Sequence, residues 1–549
     1  MRRSITNLFT GVLALSSLAV FAGDKNFNQA YNSFDLKQIK QDIKTLSSDE
    51  FGGREPATEG GKKTTDLLVK SFKALGYQPG NNGSYLQKVP LVSITSEIKS
   101  ELKIGDIAFE GLKNYVATSR KMDKNIGLKD SELVFVGYGV NAPEYGWNDY
   151  EGLDVKGKTV VVLVNDPGYA TQDPELFNGN TMTYYGRWIY KYEEAARQGA
   201  AGAIVIHETK PASYGWNVIE SGWSGAQYHL PASEVNEPAI DVEMWITLDK
   251  AKELFNKAGM NFETQKEKAK HKGFKAVSLK QKASIKLVNE VKQSVSNNVV
   301  ATLPGTSQKE DHILYMAHWD HLGSKMVDGK KVVYNGAHDN ATGTAGLIAI
   351  ANAFKKLHKK PKRSITMIAA TAEEQGRLGS RYFANHPTMP LNKIVGLINM
   401  DSLNITGMKK NFTVVGFGKS ELEKTLEKAA SRQERALVQE TTPERGYYYR
   451  SDHFSLAKKG VPALSARGGT IPLNDEQAAI AKTVGEIVGN CYHQVCDVYN
   501  EAWGWQGMVA DLQVYFEIGY LLGKNGEWPN WYEGTEFKAA RDAMMTAKE

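Results

Sequence analysis

Histidine and aspartate side chains follow an apolar run in the second half of the chain, and they could bind a metal ion. Residues 314–317 predict a buried strand, and His318, Asp320 and His321 come directly after it. Open α/β sheets place their ligands where strands end. A His two residues before an Asp allows a metal ligand and a helper carboxylate to share one loop. Alone this spacing is weak evidence, because His-x-Asp is common by chance.

Four further segments contain acidic or histidine side chains, most of them beside a predicted strand end or a glycine-rich turn. They are residues 336–343 with Asp339, 372–380 with Glu373 and Glu374, 399–402 with Asp401, and 450–454 with Asp452 and His453. Each has an ordinary structural explanation when taken singly, such as a helix N-cap for Asp339. Their joint occurrence in one order favours a functional site.

The donor atoms of these segments fit a pair of divalent metal ions. Two metals that share one carboxylate need about five protein ligands, and oxygen and imidazole donors suit Zn²⁺. The five candidates are His318, Asp339, Glu374, Asp401 and His453. Glu373 stands beside Glu374, and adjacent side chains do not easily face one metal. One of the two can therefore be a ligand while the other accepts a proton from a bridging water.

This series resembles the M28 family of zinc aminopeptidases. The matching motifs are His318-x-Asp320, Gly336-Ala337-x-Asp339-Asn340-x-x-Gly343, Glu373-Glu374-x-Gly376-x-x-Gly379-Ser380, Asn399-Met400-Asp401 and Ser451-Asp452-His453-Phe454. The resemblance covers the chain from about residue 298 to the C-terminus, together with Phe51-x-Gly53-Arg54 and a predicted helix from Gly60. A second resemblance, in Gly137-Tyr138-Gly139, residues 152–158 and residues 195–202, is to the protease-associated domain inserted in many of these enzymes.

The family resemblance implies which residues hold the metal. His318 and Asp401 would bind one zinc ion, Glu374 and His453 would bind the other, and Asp339 would bridge the two Zn²⁺ ions.

The resemblance also implies roles around the metals. Asp320 would orient the first imidazole ligand, and Glu373 would be general base and then general acid to the leaving amine. A cis peptide bond is expected between Asp339 and Asn340. A tyrosine that stabilises the oxyanion is expected near the last histidine; residues 447–449 are all tyrosines, and Tyr449 is the preferred candidate.

The hydrophobic pattern predicts the elements that position these residues. From residue 298 strands alternate with helices, which predicts a mixed, mostly parallel central sheet with helices on both faces, an α/β/α sandwich. The predicted strands are 298–303, 313–317, 364–370, 394–400 and 412–416, and the predicted helices are 343–357, 420–430 and 506–522. Upstream, residues 35–46 and 60–75 predict helices, and residues 85–92 a strand.

The length of 549 residues indicates more than one domain. We expect an N-terminal part of the peptidase domain at 23–94, an inserted β-rich domain of protease-associated type at 95–292, and the catalytic part at 293–549. The inserted stretch has short β-type runs and no cluster of histidines and acids. Its lysine-rich residues 266–282 predict a solvated face or linker.

The N-terminus predicts export. Arg2 and Arg3 precede an apolar run, and residues 1–22 fit a signal peptide cut after Ala22. We therefore expect a periplasmic or secreted protein without a membrane anchor. Cys491 and Cys496 are the only cysteines; a close pair in an exported protein predicts a disulfide, with two free core thiols as the alternative.

These features together predict a di-zinc aminopeptidase acting on peptides with a free N-terminus. A carboxypeptidase or dipeptidase of the same fold stays open, because the metal centre does not say which substrate terminus is read. A glutaminyl cyclase-like acyltransferase would use one zinc, and a receptor-type binding protein would lack ligands, so the intact set favours the peptidase. The net charge of +5, without a Lys/Arg run, gives no indication of nucleic acid as a partner.

Overall fold

The structure is a computed structural model that describes residues 25–547 except residue 236. The predicted signal peptide, residues 1–22, lies outside the described residues. The strands, in chain order, are β1 Gln78–Pro79, β2 Leu86–Ile104, β3 Tyr115–Thr118, β4 Asn125–Phe135, β5 Asn141–Ala142, β6 Trp147–Asn148, β7 Thr159–Leu163, β8 Gly202–His207, β9 Gln227–His229, β10 Val242–Thr247, β11 Val277–Leu303, β12 Gln308–His318, β13 Ser324–Val327, β14 Lys330–Val333, β15 Arg363–Ala370, β16 Ile394–Asn399, β17 Asn411–Val415, β18 Ala436–Gln439 and β19 Ala463–Gly468.

The described residues also form α-helices, besides several short helical turns. In order they are α1 Lys25–Tyr31, α2 Leu36–Leu46, α3 Glu59–Ala74, α4 Pro167–Thr171, α5 Trp188–Arg197, α6 Thr209–Ala212, α7 Trp216–Gly222, α8 Leu248–Lys257, α9 Phe262–Ala269, α10 Thr342–Lys356, α11 Leu378–Asn385, α12 Leu422–Ser431, α13 His453–Ala457, α14 Asp475–Cys491, α15 Trp505–Asn525 and α16 Lys538–Thr546. Among the residues that the structure describes, the helices are too short or too polar to cross a membrane.

The catalytic part is built on a sheet whose central strands β15, β12, β16 and β19 run parallel. Every residue of β15 and β16 is buried, as expected for strands covered on both faces. Alternate side chains of β12 face opposite ways: Ile313 and Tyr315 join a core with α10 and α15, and Leu314 and Met316 join a core with α11 and α13. The predicted α/β fold with helices on both faces is confirmed.

The segment 95–292 belongs to the same sheet as the catalytic part. Strands β2 and β11 pair antiparallel over almost their whole length, from Leu86 opposite Val299 to Ile104 opposite Ala283. Both predicted domain borders fall inside these two strands. Beyond them β4, β7, β8 and β10 continue the sheet in parallel, with helices beside them. The 15-stranded sheet therefore spans both parts of the chain.

The lysine-rich residues 266–282 form a solvated face and not a linker. They include the end of α9 and the start of β11. Leu279 is fully buried, whereas Lys280 and Lys282 are exposed. The alternation of a strand places one side chain in the core and the next outside, which a count of lysines does not detect.

Candidate metal centre

Three residues meet at the carboxyl ends of neighbouring strands and form the first possible metal site. Nε2 of His318, the last residue of β12, lies 3.3 Å from Oδ1 of Asp339 and 3.5 Å from Oδ1 of Asp401. Asp401 follows β16, which is the parallel neighbour of β12, and Asp339 lies in the turn before α10. Parallel neighbours end at the same edge of a sheet, so their following residues converge. The three side chains can hold one ion.

Asp339 also belongs to a second group with Glu374. Nδ1 of His321 lies 2.6 Å from Oε1 of Glu374, and His321, Asp339 and Glu374 can hold another ion. Nε2 of His493 lies 3.2 Å from Oδ2 of Asp339 and 3.0 Å from Oε2 of Glu374. The two oxygens of Asp339 thus face different imidazoles, His318 on one side and His493 on the other. This is the arrangement that a carboxylate bridging two metals requires.

The backbone around Asp339 is fixed by a residue far along the chain. The Asp497 carboxylate accepts hydrogen bonds from the amides of His338, at 2.8 Å, and Asp339, at 3.1 Å. The peptide bond between Asp339 and Asn340 is cis, as predicted. Gly336 has a φ of +55°, and a Cβ there would lie 2.4 Å from the ring of His321. Only glycine fits this approach of the turn to the imidazole.

Arg54 connects the N-terminal part of the chain to the site. Its buried guanidinium donates to the carbonyl oxygens of Trp319, Asn335 and Gly336 at 2.6–2.8 Å. Burial lowers the pKa of Arg54 to about 10, and the carboxylates of Asp497 and its neighbours oppose that shift, so the side chain stays charged at neutral pH. The Gly53-Arg54 motif therefore holds together the two loops from which His318 and Asp339 extend.

The carboxylate of Asp320 positions the two glutamates that follow β15. Its Oδ1 accepts from the amide of Glu373 at 3.0 Å, and its Oδ2 accepts from the amide of Glu374 at 3.3 Å. The contact predicted with His318 is made by the carbonyl oxygen of Asp320, 3.2 Å from Nδ1, while the carboxylate is 3.8 Å away. Asp320 thus orients the imidazole by its main chain and the glutamates by its side chain.

Buried carboxylates outnumber the imidazoles in this region, and their pKa values reflect it. Burial raises the pKa of Glu373 well above its ordinary value, and the carboxylates of Asp452 and Asp401 add to the rise. Burial also raises the pKa of Asp320 to about 7. Asp339 behaves oppositely: burial would raise its pKa, but His318 and His493 hold it well below its usual range. An excess of buried negative charge with nitrogen and oxygen donors fits divalent zinc.

Residues 298–516 match the model of peptidase family M28. The matched residues include the whole of β12, β15 and β16, all five predicted ligands and His493. The catalytic part of the chain is thus similar to this family.

Similar proteins match this chain over short stretches. A probable zinc metalloprotease of Leptosphaeria maculans is 30% identical over 125 residues, which is 22% of this chain and 28% of the relative. Leupeptin-inactivating enzyme 1 of Streptomyces exfoliatus is 27% identical over 169 residues, 30% of this chain and 36% of the relative. The matches therefore span about a third or less of each relative's length.

Two solved structures are similar to this protein over most of its length. An aminopeptidase from Aneurinibacillus sp. strain AM-1 is 21% identical with a TM-score of 0.49, covering 91% of this chain and 97% of its own. The zinc aminopeptidase BSAP from Bacillus subtilis is 17% identical with a TM-score of 0.39, covering 91% and 98%.

The structure does not bring His453 into either metal-binding group. This residue begins α13, and its ring packs edge-on against Tyr448 with centroids 4.6 Å apart. Burial lowers its pKa to about 3, as for a neutral core histidine. The imidazole that the structure places beside Oε2 of Glu374 is that of His493. Sequence analysis did not single out His493, because no strand precedes it.

One sequence signal could have found His493. It lies inside the short loop closed by the Cys491–Cys496 disulfide, which the structure contains as predicted, with Cα atoms 5.2 Å apart. Asp497, directly after the loop, makes the contacts with the turn around Asp339 described above. A histidine in a disulfide loop is held in place, and this makes it suitable as a ligand.

Tyr449 does not direct its hydroxyl toward the metal-binding residues. That hydroxyl donates to Oε1 of Glu536 at 2.7 Å. Tyr448 donates to the carbonyl of Ala463, and the hydroxyl of Tyr447 accepts from Arg445. The tyrosine beside a metal-binding residue is Tyr492, which stacks on His493 with centroids 3.9 Å apart and is 61% exposed.

Proposed function

We propose that this chain is a di-zinc aminopeptidase that hydrolyses N-terminal residues from peptides. The observation that supports it most is the position of Asp339, whose two oxygens face two separate groups of ligands. The match of residues 298–516 to peptidase family M28 supports peptide hydrolysis, and relatives that are named zinc metalloproteases support zinc as the bound metal.

The ligand assignment follows from the distances. His318 and Asp401 would hold one ion, Glu374 and His493 the other, and Asp339 both. We assign His321 to orienting Glu374, because His493 reaches both Asp339 and Glu374 with one nitrogen, whereas the hydrogen bond of His321 is to Glu374. When bound, the two zinc ions would supply Lewis-acid polarisation of the scissile carbonyl and a lowered pKa for the attacking water.

Glu373 is the residue that moves the proton. It accepts a proton from the attacking water and donates it to the leaving amine. Its backbone amide donates to Asp320, which fixes the main chain from which its side chain extends. Glu374, held by the same aspartate, faces His321 and His493 instead. The neighbouring glutamates thus differ in role because they face different groups.

The test is a measurement of metal content combined with a substrate panel. We expect two zinc ions per chain, loss of hydrolysis with a chelator, cleavage of free aminoacyl substrates and no cleavage of N-acetylated ones. Cleavage of N-acetylated peptides from the C-terminus would instead establish a carboxypeptidase. One bound zinc ion together with cyclisation of N-terminal glutamine would establish the acyltransferase. A matched pair separates the glutamates: Glu374→Ala should lose zinc, and Glu373→Ala should keep it.

Two further proposals concern the rest of the chain. The Cys491–Cys496 disulfide supports a periplasmic or secreted location. The segment 95–292, proposed as a protease-associated domain, contacts the catalytic part through the ion pair of Glu193 with Lys458, at 3.0 Å. It has none of the proposed ligands, so we assign it to shaping the substrate cleft.

A further inference from the structure

A cleft of about 350 Å³ lies where the segment 95–292 meets the catalytic part. Arg187, Trp188 and Trp223 line it from the segment, and Arg450 lines it from the catalytic part. Tyr214 adds a third aromatic side chain to its wall. The cleft therefore combines the guanidinium groups of Arg187 and Arg450 with a partly apolar surface, and its lining also contains the ion pair of Arg120 with Glu243. It lies outside the two groups of residues that could hold a metal ion.

Arg187 and Arg450 are the unusual members of this cleft. Within residues 25–547 apart from residue 236, neither forms an ion pair, and the Nε atom of each is buried without a hydrogen-bond partner. The third arginine of the cleft, Arg120, is instead paired with Glu243 at 2.8 Å, and Arg381 outside the cleft is paired with Glu237 at 2.9 Å. Burying a charged group without a partner costs free energy. An anionic ligand would supply the missing partner.

The two guanidinium groups are also close enough to repel each other. Burial lowers the pKa of Arg187 to about 9, and the positive charges of Arg450 and Arg377 contribute to that fall. Arg187 is nevertheless charged at neutral pH. Two like charges at one cleft wall attract an anion more strongly than either alone, and a planar guanidinium matches a carboxylate with two parallel hydrogen bonds.

The cleft adjoins the proposed catalytic residues. Arg450 directly precedes Ser451, whose hydroxyl donates to Oδ2 of Asp401 at 2.5 Å. One wall of the cleft is therefore one residue along the chain from a side chain that contacts a proposed ligand.

We propose that Arg187 and Arg450 form a subsite that binds a carboxylate of the peptide substrate. This inference rests on the proposed function. The carboxylate is either the free C-terminus of a short peptide or the side chain of an acidic residue. The aromatic side chains of the cleft pack against the apolar atoms beside that carboxylate. The enzyme therefore selects peptides that present a negative charge a short distance beyond the cleaved bond.

The test compares peptides that differ only in one charge. Leu-Gly-Gly and its C-terminal amide vary the terminal carboxylate; Leu-Glu-amide and Leu-Gln-amide vary the side chain. In one of the two pairs, the wild-type kcat/KM should be about 10- to 100-fold higher for the peptide with the carboxylate than for the amide. This is the factor expected for a hydrogen bond to a charged group. Arg187→Gln should abolish that preference through KM. Arg445→Gln, at an arginine outside the cleft lining, should hydrolyse an uncharged aminoacyl chromogenic substrate at the wild-type rate.

The control variant is Arg445→Gln, which makes the same substitution at an exposed arginine outside the cleft lining. It should keep the preference of the wild type. Calorimetric binding of the same peptides to Glu373→Ala, with and without Arg187→Gln, measures the subsite without turnover. Equal affinities for acid and amide in the Glu373→Ala protein overturn the inference. Lack of hydrolysis of every peptide, with binding preference intact, overturns the proposed function instead.

Discussion

Replacing His493 with alanine should remove one zinc ion, whereas replacing His453 should leave both bound. The expectation rests on position. Nε2 of His493 lies 3.2 Å from Asp339 and 3.0 Å from Glu374, while His453 packs against Tyr448 outside both groups. The pair of variants therefore removes the same side chain from two places, of which only one faces the bridging carboxylate.

The pH dependence gives this prediction a magnitude. In the metal-free protein burial would lower the pKa of His493, but its contacts with Asp339 and Glu374 raise it to about 10. Zinc binds only the neutral imidazole. At pH 7.5 the proton should therefore weaken zinc binding through this residue by a factor of roughly 300, and the apparent affinity should rise about tenfold per pH unit below pH 10. His493→Ala should reduce that slope by about one proton.

The assay is zinc competition with a fluorescent chelator between pH 6.5 and 9, with bound metal counted by mass spectrometry. Thermal unfolding of both variants checks that each is folded. The reasoning fails if His493→Ala retains two ions and the wild-type slope. If His453→Ala alone loses an ion, the ligand set from the sequence resemblance is right and the geometric assignment is wrong.

Four other outcomes are expected. Asp339→Ala should lose most of both metal ions, measured by metal analysis; full occupancy would contradict the bridge. Glu373→Ala should keep both ions while turnover falls by ~10²–10⁴-fold, and undiminished turnover would exclude it as the base. Replacing Cys491 and Cys496 with serine should cost about 2 kcal/mol of unfolding free energy, the low end for a short loop, and denaturation in urea would show it. Metal-free protein should lose the stabilisation from His493 as pH rises from about 6.5 through about 10, because the folded pKa lies above the unfolded one; equal urea midpoints at pH 6 and pH 9 would refute this.

The sequence predicted best those site residues that follow a strand. His318, Glu374 and Asp401 come after runs whose burial is evident from their apolar residues, and parallel strands bring their ends together. Asp339 was predictable from the glycine-rich turn before a helix. The structure brings all four together in the two groups that could hold a metal ion, because each depends on local sequence and on one shared sheet edge.

His493 could not be predicted in the same way. It follows α14, a helix that the sequence analysis did not predict, and it lies in a polar stretch between two cysteines. Its position depends on the disulfide and on Asp497 binding the amides of His338 and Asp339. Such contacts between distant parts of the chain leave no hydrophobic periodicity. The resemblance predicts His453 as the ligand; that side chain packs against Tyr448, and we propose His493 in its place.

The length of β2 and β11 explains why segment 95–292 can contribute to substrate selection. An insertion joined by flexible linkers would place Arg187 at no fixed distance from Arg450. Here the two strands pair from the catalytic part into the segment without a break in the sheet, and Glu193 and Lys458 pair across the contact. The cleft wall from the segment is thereby held against the loop that contains Arg450 and Ser451. Because Ser451 contacts Asp401, a substrate carboxylate bound in the proposed subsite would lie at a fixed distance from the proposed ligands. The enzyme would then select substrates by length as well as by charge.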